Sequence, residues 1–349
     1  MRIGIVGATG YTGVELLRLL AQHPAKPEVT VITSRQEAGK KLTDIFPSLS
    51  ALANYDQLKY EAPSAPELAE RADLFFTATP HGAAMALLPE LLAAGAKVID
   101  LSADFRLKEA AVFEEWYSPH SSPQLLSEAV YGLPELYAEK IKKARLVANP
   151  GCYPTSIILA LAPFLKSGLL DESVPLIADS CSGVSGAGRG ASLGTSFCEV
   201  QDSFKAYKVV GHRHTPEIEQ ELSVLHGGSL KLAFTPHLLP LNRGILSTVY
   251  ARPKKASTAV ELRDLYLDFY SRAPFVRVRP LGFEPQTSEV RGSNFCDLSL
   301  FYDERSGLVK IVSVIDNLCR GASGQALANF NLICGLPESE GLALAPLRP

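Results

Sequence analysis

The segment GATGYTG at residues 7–13 is the strongest indication of the fold of the first half of the chain. It follows a short apolar run at residues 2–6 and leads into residues 13–22, where apolar side chains recur with helical spacing. A strand, a glycine-rich turn and a helix in this order are typical of a βα unit that binds a dinucleotide, because the helix N-terminus faces the pyrophosphate. The segment therefore predicts a dinucleotide-binding domain at the start of the chain.

The three glycines of this turn are expected to have separate tasks. Gly7 permits the tight turn, whereas Gly10 and Gly13 permit close approach of backbone to pyrophosphate and of helix to sheet. Ala8 stands where the strict G-x-G-x-x-G fingerprint has its second glycine, so a plain glycine-rich turn is the alternative interpretation. The candidate cofactor-binding residues of the turn are Gly7, Thr9, Gly10, Tyr11, Thr12 and Gly13.

The end of the second apolar run indicates which dinucleotide is bound. Residues 28–33 (EVTVIT) are followed by Ser34 and Arg35, where a site for NAD would have Asp or Glu to hold the ribose 2′-hydroxyl. A hydroxyl and a guanidinium suit a 2′-phosphate instead, since arginine makes charge-assisted bonds to phosphate. We therefore expect NADP as the cofactor; the alternative is that Arg35 is only a solvated loop charge.

The order of elements changes once along the chain. Strand-like runs at 73–77 and 97–101 flank a helical segment at 83–94, which extends the alternation of strand and helix expected for a parallel sheet with helices on both faces. Beyond about residue 149 the pattern becomes mixed. It predicts helices at 154–168, 215–226, 257–272 and 322–334, a glycine-rich loop at 181–194, and strands at 174–180, 230–236, 245–252, 275–280, 295–302 and 308–315. The fold class is thus α/β, with an N-terminal Rossmann-like domain and a second α+β domain built on a largely antiparallel sheet.

The composition excludes several classes of function. The chain has 349 residues, long enough for two domains, and a formal net charge of −3, so there is no basic excess for nucleic acid or an anionic membrane. No run approaches the 18 apolar residues of a transmembrane helix. Six scattered cysteines without a Cys-x-x-Cys pair favour reduced thiols and a cytoplasmic location over a disulfide framework.

One cysteine stands in a reactive setting. Cys152 follows a Pro-Gly bend and precedes the apolar helical segment 154–168, so it is expected at a helix start. Unpaired backbone N–H groups and the positive end of the helix dipole favour a thiolate there, and a thiolate is the working nucleophile. The alternative is a buried, inert cysteine, which is the interpretation we apply to the other five.

The best acid/base candidates for such a thiol lie in GHRHTPEI at residues 211–218. Thr215 is a good N-cap and Pro216 a good first helical residue, and in an extended chain before that cap His212 and His214 would point to the same side. The residues do not decide which histidine carries the proton, with a slight preference for His212. The alternatives are two ordinary surface histidines or a metal site; no third ligand is evident, so no metal is expected.

Taken together, the motifs resemble a known family. The chain is similar to N-acetyl-gamma-glutamyl-phosphate reductase, the arginine-pathway member of the aspartate-semialdehyde dehydrogenase superfamily. The cysteine motif is specific to that family, whereas the glycine turn is not. The sequence departs mildly from the family pattern at Cys319-Arg320, where the family would have a residue such as Val or Ile followed by Lys. The motifs that carry the resemblance span residues 1–330 and are GATGYTG (7–13), DLSADFR (100–106), YGLPELY (131–137), ANPGCYPT (148–155), GHRHTPEI (211–218), FTPHLLPLNRGI (234–245) and DNLCRGASGQA (316–326).

The resemblance implies a reaction. Cys152 would attack the acyl phosphate of N-acetylglutamyl phosphate, the thioester would accept hydride from NADPH, and one of the two histidines would handle the proton. It also implies Arg106 and Asn149 as substrate-binding residues, although Arg106 pairing with Asp104 is the structural alternative.

The resemblance further implies how the cofactor site and the chain are organised. Asn317 is expected beside the nicotinamide, and Ser185 and Gly186 are expected to contact the nicotinamide or the substrate through their backbone. The NADP-binding domain would comprise 1–148 plus 317–349, and the catalytic domain 149–316, which would assemble the chain into a homo-oligomer, a dimer or a tetramer.

Three rival functions stay open at this point. A sister enzyme acting on another acyl phosphate, such as aspartyl phosphate, would use identical chemistry. An amino-adipate relative with a carrier-bound substrate would differ only around the distal end of the substrate. A non-catalytic NADP-sensing regulator would share the glycine turn, but it would have no need for a thiol at a helix N-terminus.

Overall fold

The first half of the chain forms a parallel sheet. The structure is a computed structural model and describes residues 1–348. The strands have the order β3-β2-β1-β4-β5-β7-β6, and every pair of neighbours is parallel. Their bounds are β1 Arg2–Val6, β2 Glu28–Thr33, β3 Tyr60–Glu61, β4 Leu74–Thr77, β5 Lys97–Asp100, β6 Val130–Tyr131 and β7 Leu146–Ala148.

The strand order fixes where a ligand is bound in this half. From β1 the chain first runs outward through β2 and β3, then returns to the other side of β1 with β4 and β5. The carboxyl ends of β1 and β4 therefore flank the switch point, where open α/β sheets bind their ligands. The glycine turn at 7–13 begins directly after β1. The helices of this half are α1 Tyr11–Ala21, α2 Leu42–Ile45, α3 Ala65–Arg71, α4 Ala84–Ala93, α5 Ala110–Trp116, α6 Pro134–Ile141 and the C-terminal α11 Gly324–Ile333.

The second half forms a mixed, mainly antiparallel sheet of order β12-β13-β14-β11-β8-β10-β9. Four of its six pairings are antiparallel and two are parallel. Its strands are β8 Leu176–Gly183, β9 Lys205–Ala206, β10 Leu232–Leu239, β11 Ile245–Ala251, β12 Val276–Val278, β13 Cys296–Asp303 and β14 Leu308–Ile315. Its helices are α7 Cys152–Lys166, α8 Phe197–Val200, α9 Thr215–His226 and α10 Ala259–Phe269. All six strands expected here are confirmed, but the predicted loop 181–194 is wrong at its start, because β8 extends to Gly183.

The central helix of the second half is α7, which packs on β11, β14 and α9. Every residue from Tyr153 to Leu165 is buried, as expected for a helix that is apolar nearly all round. Pro163 within it removes the N–H that would bond the carbonyl of Leu159, and the hydroxyl of Tyr270 donates to that carbonyl at 2.6 Å instead. The helix is therefore held rigidly, which matters because Cys152 is its first residue.

Internal contacts divide the chain into two units. One comprises Met1–Pro150 with Ala322–Ala343, and the other comprises Gly151–Gly321 with the tail from Leu344. The domain boundaries expected from the sequence, after residues 148 and 316, and the function given to each domain stay predictions.

Candidate active site

The glycine turn has the geometry that its residues require. Gly7 has a φ of +82°, and a Cβ there would lie 2.6 Å from the carbonyl oxygen of Ala78. A Cβ on Gly13 would lie 2.6 Å from the Cα of Ala8, so the helix approaches the turn closely. A Cβ on Gly10, by contrast, would meet nothing within 4 Å among the described residues. Gly7 and Gly13 are therefore required by the fold, whereas Gly10 leaves open space beside the backbone.

That open space lies at the N-terminus of α1. Gly10 is the N-cap, no side chain caps the helix, and its first turn carries no acidic residue. The backbone N–H groups and the positive dipole end are thus available to an anion. The bare N-cap and the space beside it fit the pyrophosphate of a dinucleotide.

The end of β2 is bonded to the same turn. The Gly7 N–H donates to Oγ1 of Thr33 at 3.2 Å, and the Ala8 N–H donates to the Thr33 carbonyl. Ser34 is buried, and its hydroxyl oxygen accepts from the Glu37 N–H at 3.2 Å, which closes the turn after the strand. Arg35 is exposed, and within residues 1–348 it makes no hydrogen bond or ion pair. Its guanidinium is therefore available for a phosphate.

The two candidate substrate residues are held by protein groups. Arg106 is 6% exposed and donates to the carbonyls of Asn149 and Leu101, both at 2.8 Å. The Asn149 side chain donates to the Ala322 carbonyl at 3.1 Å and accepts from Asn329 at 3.0 Å. These bonds give both residues a structural task in their unit, and their contact with substrate stays a prediction.

In the second unit, α7 begins at Cys152, which confirms the expected helix start. Gly151 is the N-cap and offers no side chain, and no acidic residue lies in the first turn. The Cys152 side chain is partly exposed. A Cβ on Gly321 would lie only 2.7 Å from the Cβ of Cys152, so the backbone of that glycine packs directly against the thiol residue.

The histidine segment adopts a turn and not the extended chain expected from the sequence. His214 has helical angles and is itself the N-cap of α9, so the prediction of Thr215 as the cap is wrong by one residue. The Thr215 N–H donates to the His212 carbonyl at 2.9 Å, and the His214 N–H donates to Nδ1 of His212 at 3.1 Å. The turn still brings the rings together, with centroids 4.9 Å apart.

The environment of His212 keeps its ring neutral. Burial lowers its pKa to about 4, and the positive charges of Lys208 and Arg213 act in the same direction. Since Nδ1 accepts the His214 N–H, the neutral ring carries its proton on Nε2. At neutral pH His212 is therefore a hydrogen-bond donor through Nε2 and a poor carrier of a second proton.

Two tyrosines that the sequence analysis did not single out complete this cluster. The ring of His212 lies 5.5 Å from both Tyr153 and Tyr207, measured between centroids. Tyr207 donates its hydroxyl to that of Tyr153 at 3.1 Å, which donates to the His237 carbonyl at 3.2 Å. Burial raises the pKa of Tyr207 to about 12, and the charge of the Cys152 thiolate contributes to the rise. Thiol, histidines and tyrosines thus form one group; Tyr207 gave no signal in the sequence.

The residues expected beside the nicotinamide also come together. Asn317 accepts the Gly244 N–H at 2.7 Å and donates to the Ser185 hydroxyl at 2.9 Å. A Cβ on Gly186 would lie 3.7 Å from the Asn317 amide nitrogen. The tertiary structure therefore joins residues about 130 positions apart in the chain, and their contact with a cofactor stays a prediction.

The comparisons with known proteins agree with this arrangement. Residues 2–144 match the family model described as the semialdehyde dehydrogenase NAD binding domain, and residues 152–317 match the semialdehyde dehydrogenase dimerisation domain. The class of protein is therefore a semialdehyde dehydrogenase, an oxidoreductase whose first domain binds a nicotinamide dinucleotide.

Full-length relatives identify the family within this class. N-acetyl-gamma-glutamyl-phosphate reductase of Desulfotalea psychrophila is 55% identical over 350 residues, and that of Syntrophobacter fumaroxidans is 56% identical over 349 residues. Both alignments cover 100% of this chain and of the relative. The chain belongs to the N-acetyl-gamma-glutamyl-phosphate reductase family.

A solved structure shows the fold. Aspartate semialdehyde dehydrogenase II of Vibrio cholerae, crystallised in complex with ASA, has a TM-score of 0.72 and 16% identity over 96% of this chain and 98% of that one. Within residues 1–348, none of the helices has the length and apolar character needed to cross a bilayer.

Proposed function

We propose that this enzyme reduces N-acetyl-gamma-glutamyl phosphate with NADPH, releasing phosphate and N-acetylglutamate 5-semialdehyde, through a thioester on Cys152. The observation that carries the proposal is full-length identity of 55% to enzymes of that name. The site supports it, because a partly exposed thiol begins a buried helix beside a pair of histidines.

The role of Cys152 follows from its position. Its thiolate, favoured by the N-terminus of α7, attacks the acyl carbon, and the bond from that carbon to the phosphate oxygen breaks. NADPH, when bound, supplies the hydride that reduces the thioester. The tetrahedral oxygen takes a proton from a nearby donor. When the C=O bond of the aldehyde forms, that proton returns to the donor, the C–S bond breaks, and the thiolate of Cys152 is restored.

We assign separate tasks to the two histidines, as a proposal of our own. His212 stays neutral and donates its Nε2–H to the developing oxyanion, since its pKa of about 4 disfavours a second proton. His214, whose ring is 4.9 Å from that of His212, exchanges the proton. His214→Asn should therefore lower kcat, because the proton exchange is lost, and His212→Asn should lower kcat, because the hydrogen bond to the oxyanion is lost.

The cofactor is proposed to be NADP and not NAD. The bare N-terminus of α1 would hold the pyrophosphate, and Ser34 with the exposed Arg35 would meet the 2′-phosphate. Ser185, Gly186 and Asn317 would meet the nicotinamide. Arg106 and Asn149 would orient the substrate, acting in part through the backbone that they hold.

Assembly and location complete the proposal. The chain forms a homo-oligomer through its second unit, which is supported by the description of the matching family model as a dimerisation domain. It acts in the cytoplasm, where a catalytic thiol stays reduced.

The experiment is an absorbance assay of NADPH formation in the reverse direction, with N-acetylglutamate semialdehyde, NADP and phosphate. Phosphate-dependent turnover by wild type that is lost in Cys152→Ala but kept in Cys198→Ala, which removes an exposed cysteine of the same unit, supports substrate and nucleophile. Turnover of aspartate semialdehyde instead would overturn the substrate. Activity that survives in Cys152→Ala would overturn the thioester.

A further inference from the structure

A buried carboxylate joins the two helices that carry the proposed catalytic residues. Glu217 lies in the first turn of α9 and is 1% exposed. Its Oε1 accepts the N–H of Gly151 at 2.8 Å. Gly151 is the N-cap of α7 and directly precedes Cys152. A single side chain therefore connects the start of the cysteine helix to the start of the histidine helix.

The same side chain also has a fixed position relative to the histidine pair. Glu217 follows His214 by three residues, so the two lie on neighbouring turns of one helix face. Ile218 donates its N–H to the His214 carbonyl at 3.0 Å, which fixes the first turn in helical form. α7 and α9 also pack against each other. A displacement of Glu217 would thus move the backbone on both sides of the site.

Burial of this carboxylate needs a reason. A charge buried without donors is costly, and a bond from a backbone N–H to an ionised oxygen is both strong and directional. An apolar residue would fill the same space at lower cost if packing were the only requirement. The specific partner, the residue before the nucleophile, points to positioning as the reason.

We propose that Glu217 is a positioning residue of the thioester reaction: its carboxylate fixes Gly151, and with it Cys152, relative to His214. The inference rests on that proposed function, but two of its readouts need no substrate. Glu217 does not touch the reacting atoms in this role. The negative charge of Glu217 next to the start of α7 also disfavours the thiolate form of Cys152. Glu217 therefore lowers the reactivity of the free thiol while it holds the geometry of the site.

Two substitutions separate the hydrogen bond from the charge. Glu217→Gln keeps an acceptor oxygen and nearly the same volume but removes the charge, whereas Glu217→Leu removes the acceptor as well. Glu221→Leu is the matched control, because Glu221 lies one turn later on the same helix and is 3% exposed. We expect Glu217→Leu to lose about 100-fold in kcat with little change in KM, as for a misplaced reacting group.

Two measurements distinguish a positioning residue from a merely structural one: the kcat of the conservative variant and the alkylation rate of the free thiol. Glu217→Gln should keep most of kcat. The rate at which iodoacetamide modifies Cys152, followed by mass spectrometry of its peptide, should rise in both Glu217 variants and stay at the wild-type value in Glu221→Leu. The melting temperatures of the two leucine variants should fall by similar amounts.

Two results would overturn the inference. One is equal kcat for Glu217→Leu and Glu221→Leu at similar loss of melting temperature, which would make Glu217 an ordinary buried residue. The other is a loss in Glu217→Gln as deep as in Glu217→Leu, which would show that the charge acts and not the hydrogen bond. Failure of the proposed substrate is distinguishable, because wild type would then show no turnover while the alkylation rates still report on Cys152.

Discussion

The substitution Gly321→Ala tests how closely the proposed nucleophile, Cys152, is held. The new Cβ would lie 2.7 Å from the Cβ of Cys152 and 3.1 Å from its Cα, whereas ordinary contacts begin at 3.4 Å. Neither side can recede easily, since α7 is buried from Tyr153 to Leu165 and the Gly321 N–H is bonded to the Asp316 carbonyl at 2.9 Å. Overpacking of this kind costs about 1–3 kcal/mol.

The displacement falls on the thiol that is proposed to react with the substrate. Separating the two Cβ atoms from 2.7 to 3.4 Å moves the thiol by a large part of an ångström, and a misplacement of about 1 Å can cost on the order of 100-fold in rate. We therefore expect Gly321→Ala to reduce kcat by about 10- to 100-fold. KM should change less, because the substitution does not alter the groups proposed to bind substrate.

The assay is NADPH formation in the reverse direction, with melting temperature and alkylation of Cys152 as substrate-free readouts. Gly228→Ala is the control, since its Cβ would lie 3.5 Å from the His226 ring, an ordinary contact, at a glycine without a positive φ. Wild-type kcat in Gly321→Ala, with a melting temperature no lower than that of the control, would refute the reasoning.

Contacts of Tyr270, His212 and Arg35 can be tested in the same way. Tyr270→Phe leaves the Leu159 carbonyl without its hydroxyl donor and should lower the free energy of unfolding by about 1–3 kcal/mol in urea titrations. Tyr266→Phe should lower the free energy of unfolding by less, because the Ala160 carbonyl, to which Tyr266 donates, can keep a helical N–H donor. An equal loss would contradict the explanation that Pro163 leaves the Leu159 carbonyl without its helical donor. Since the pKa of His212 is about 4 when folded and 6.5 when unfolded, the unfolded chain binds more protons between these values, and stability should rise with pH across that window. His212→Gln should show a smaller rise in free energy of unfolding from pH 4.5 to 7, and an unchanged rise would contradict the assigned pKa. Arg35→Ala should raise KM for NADPH about tenfold or more while KM for NADH stays constant, and an equal effect on both cofactors would rule out contact with the 2′-phosphate.

The short-range features of the protein follow from the sequence alone. The strand, glycine turn and helix at 2–22 were predicted because period, glycine position and helix start are local properties. The position of Cys152 at a helix N-terminus also follows from local sequence, since a Pro-Gly bend before an apolar run predicts a helix start. His212 and His214 are only two residues apart, so their proximity was expected even though the extended geometry was wrong.

Other features depend on contacts between distant segments, which no local pattern encodes. The turn at His214 forms because Nδ1 of His212 accepts its N–H, and burial beside Lys208 and Arg213 then sets the pKa of that ring. Tyr207 reaches the site only because β9 pairs with β10. A backbone angle that is set by a side-chain hydrogen bond produces no periodic pattern in the sequence. The pairing of an edge strand produces none either.

The sequence alone specifies the class of each segment and the chemistry that it can carry: the dinucleotide turn, the thiol at a helix start and the histidine pair. The tertiary structure establishes which groups lie together: Glu217 accepts the Gly151 N–H, Gly321 packs against Cys152, and Asn317 donates to Ser185. The physical reason is range. Periodicity and capping act within a few residues, whereas hydrogen bonds and close packing join any residues that folding brings within about 4 Å.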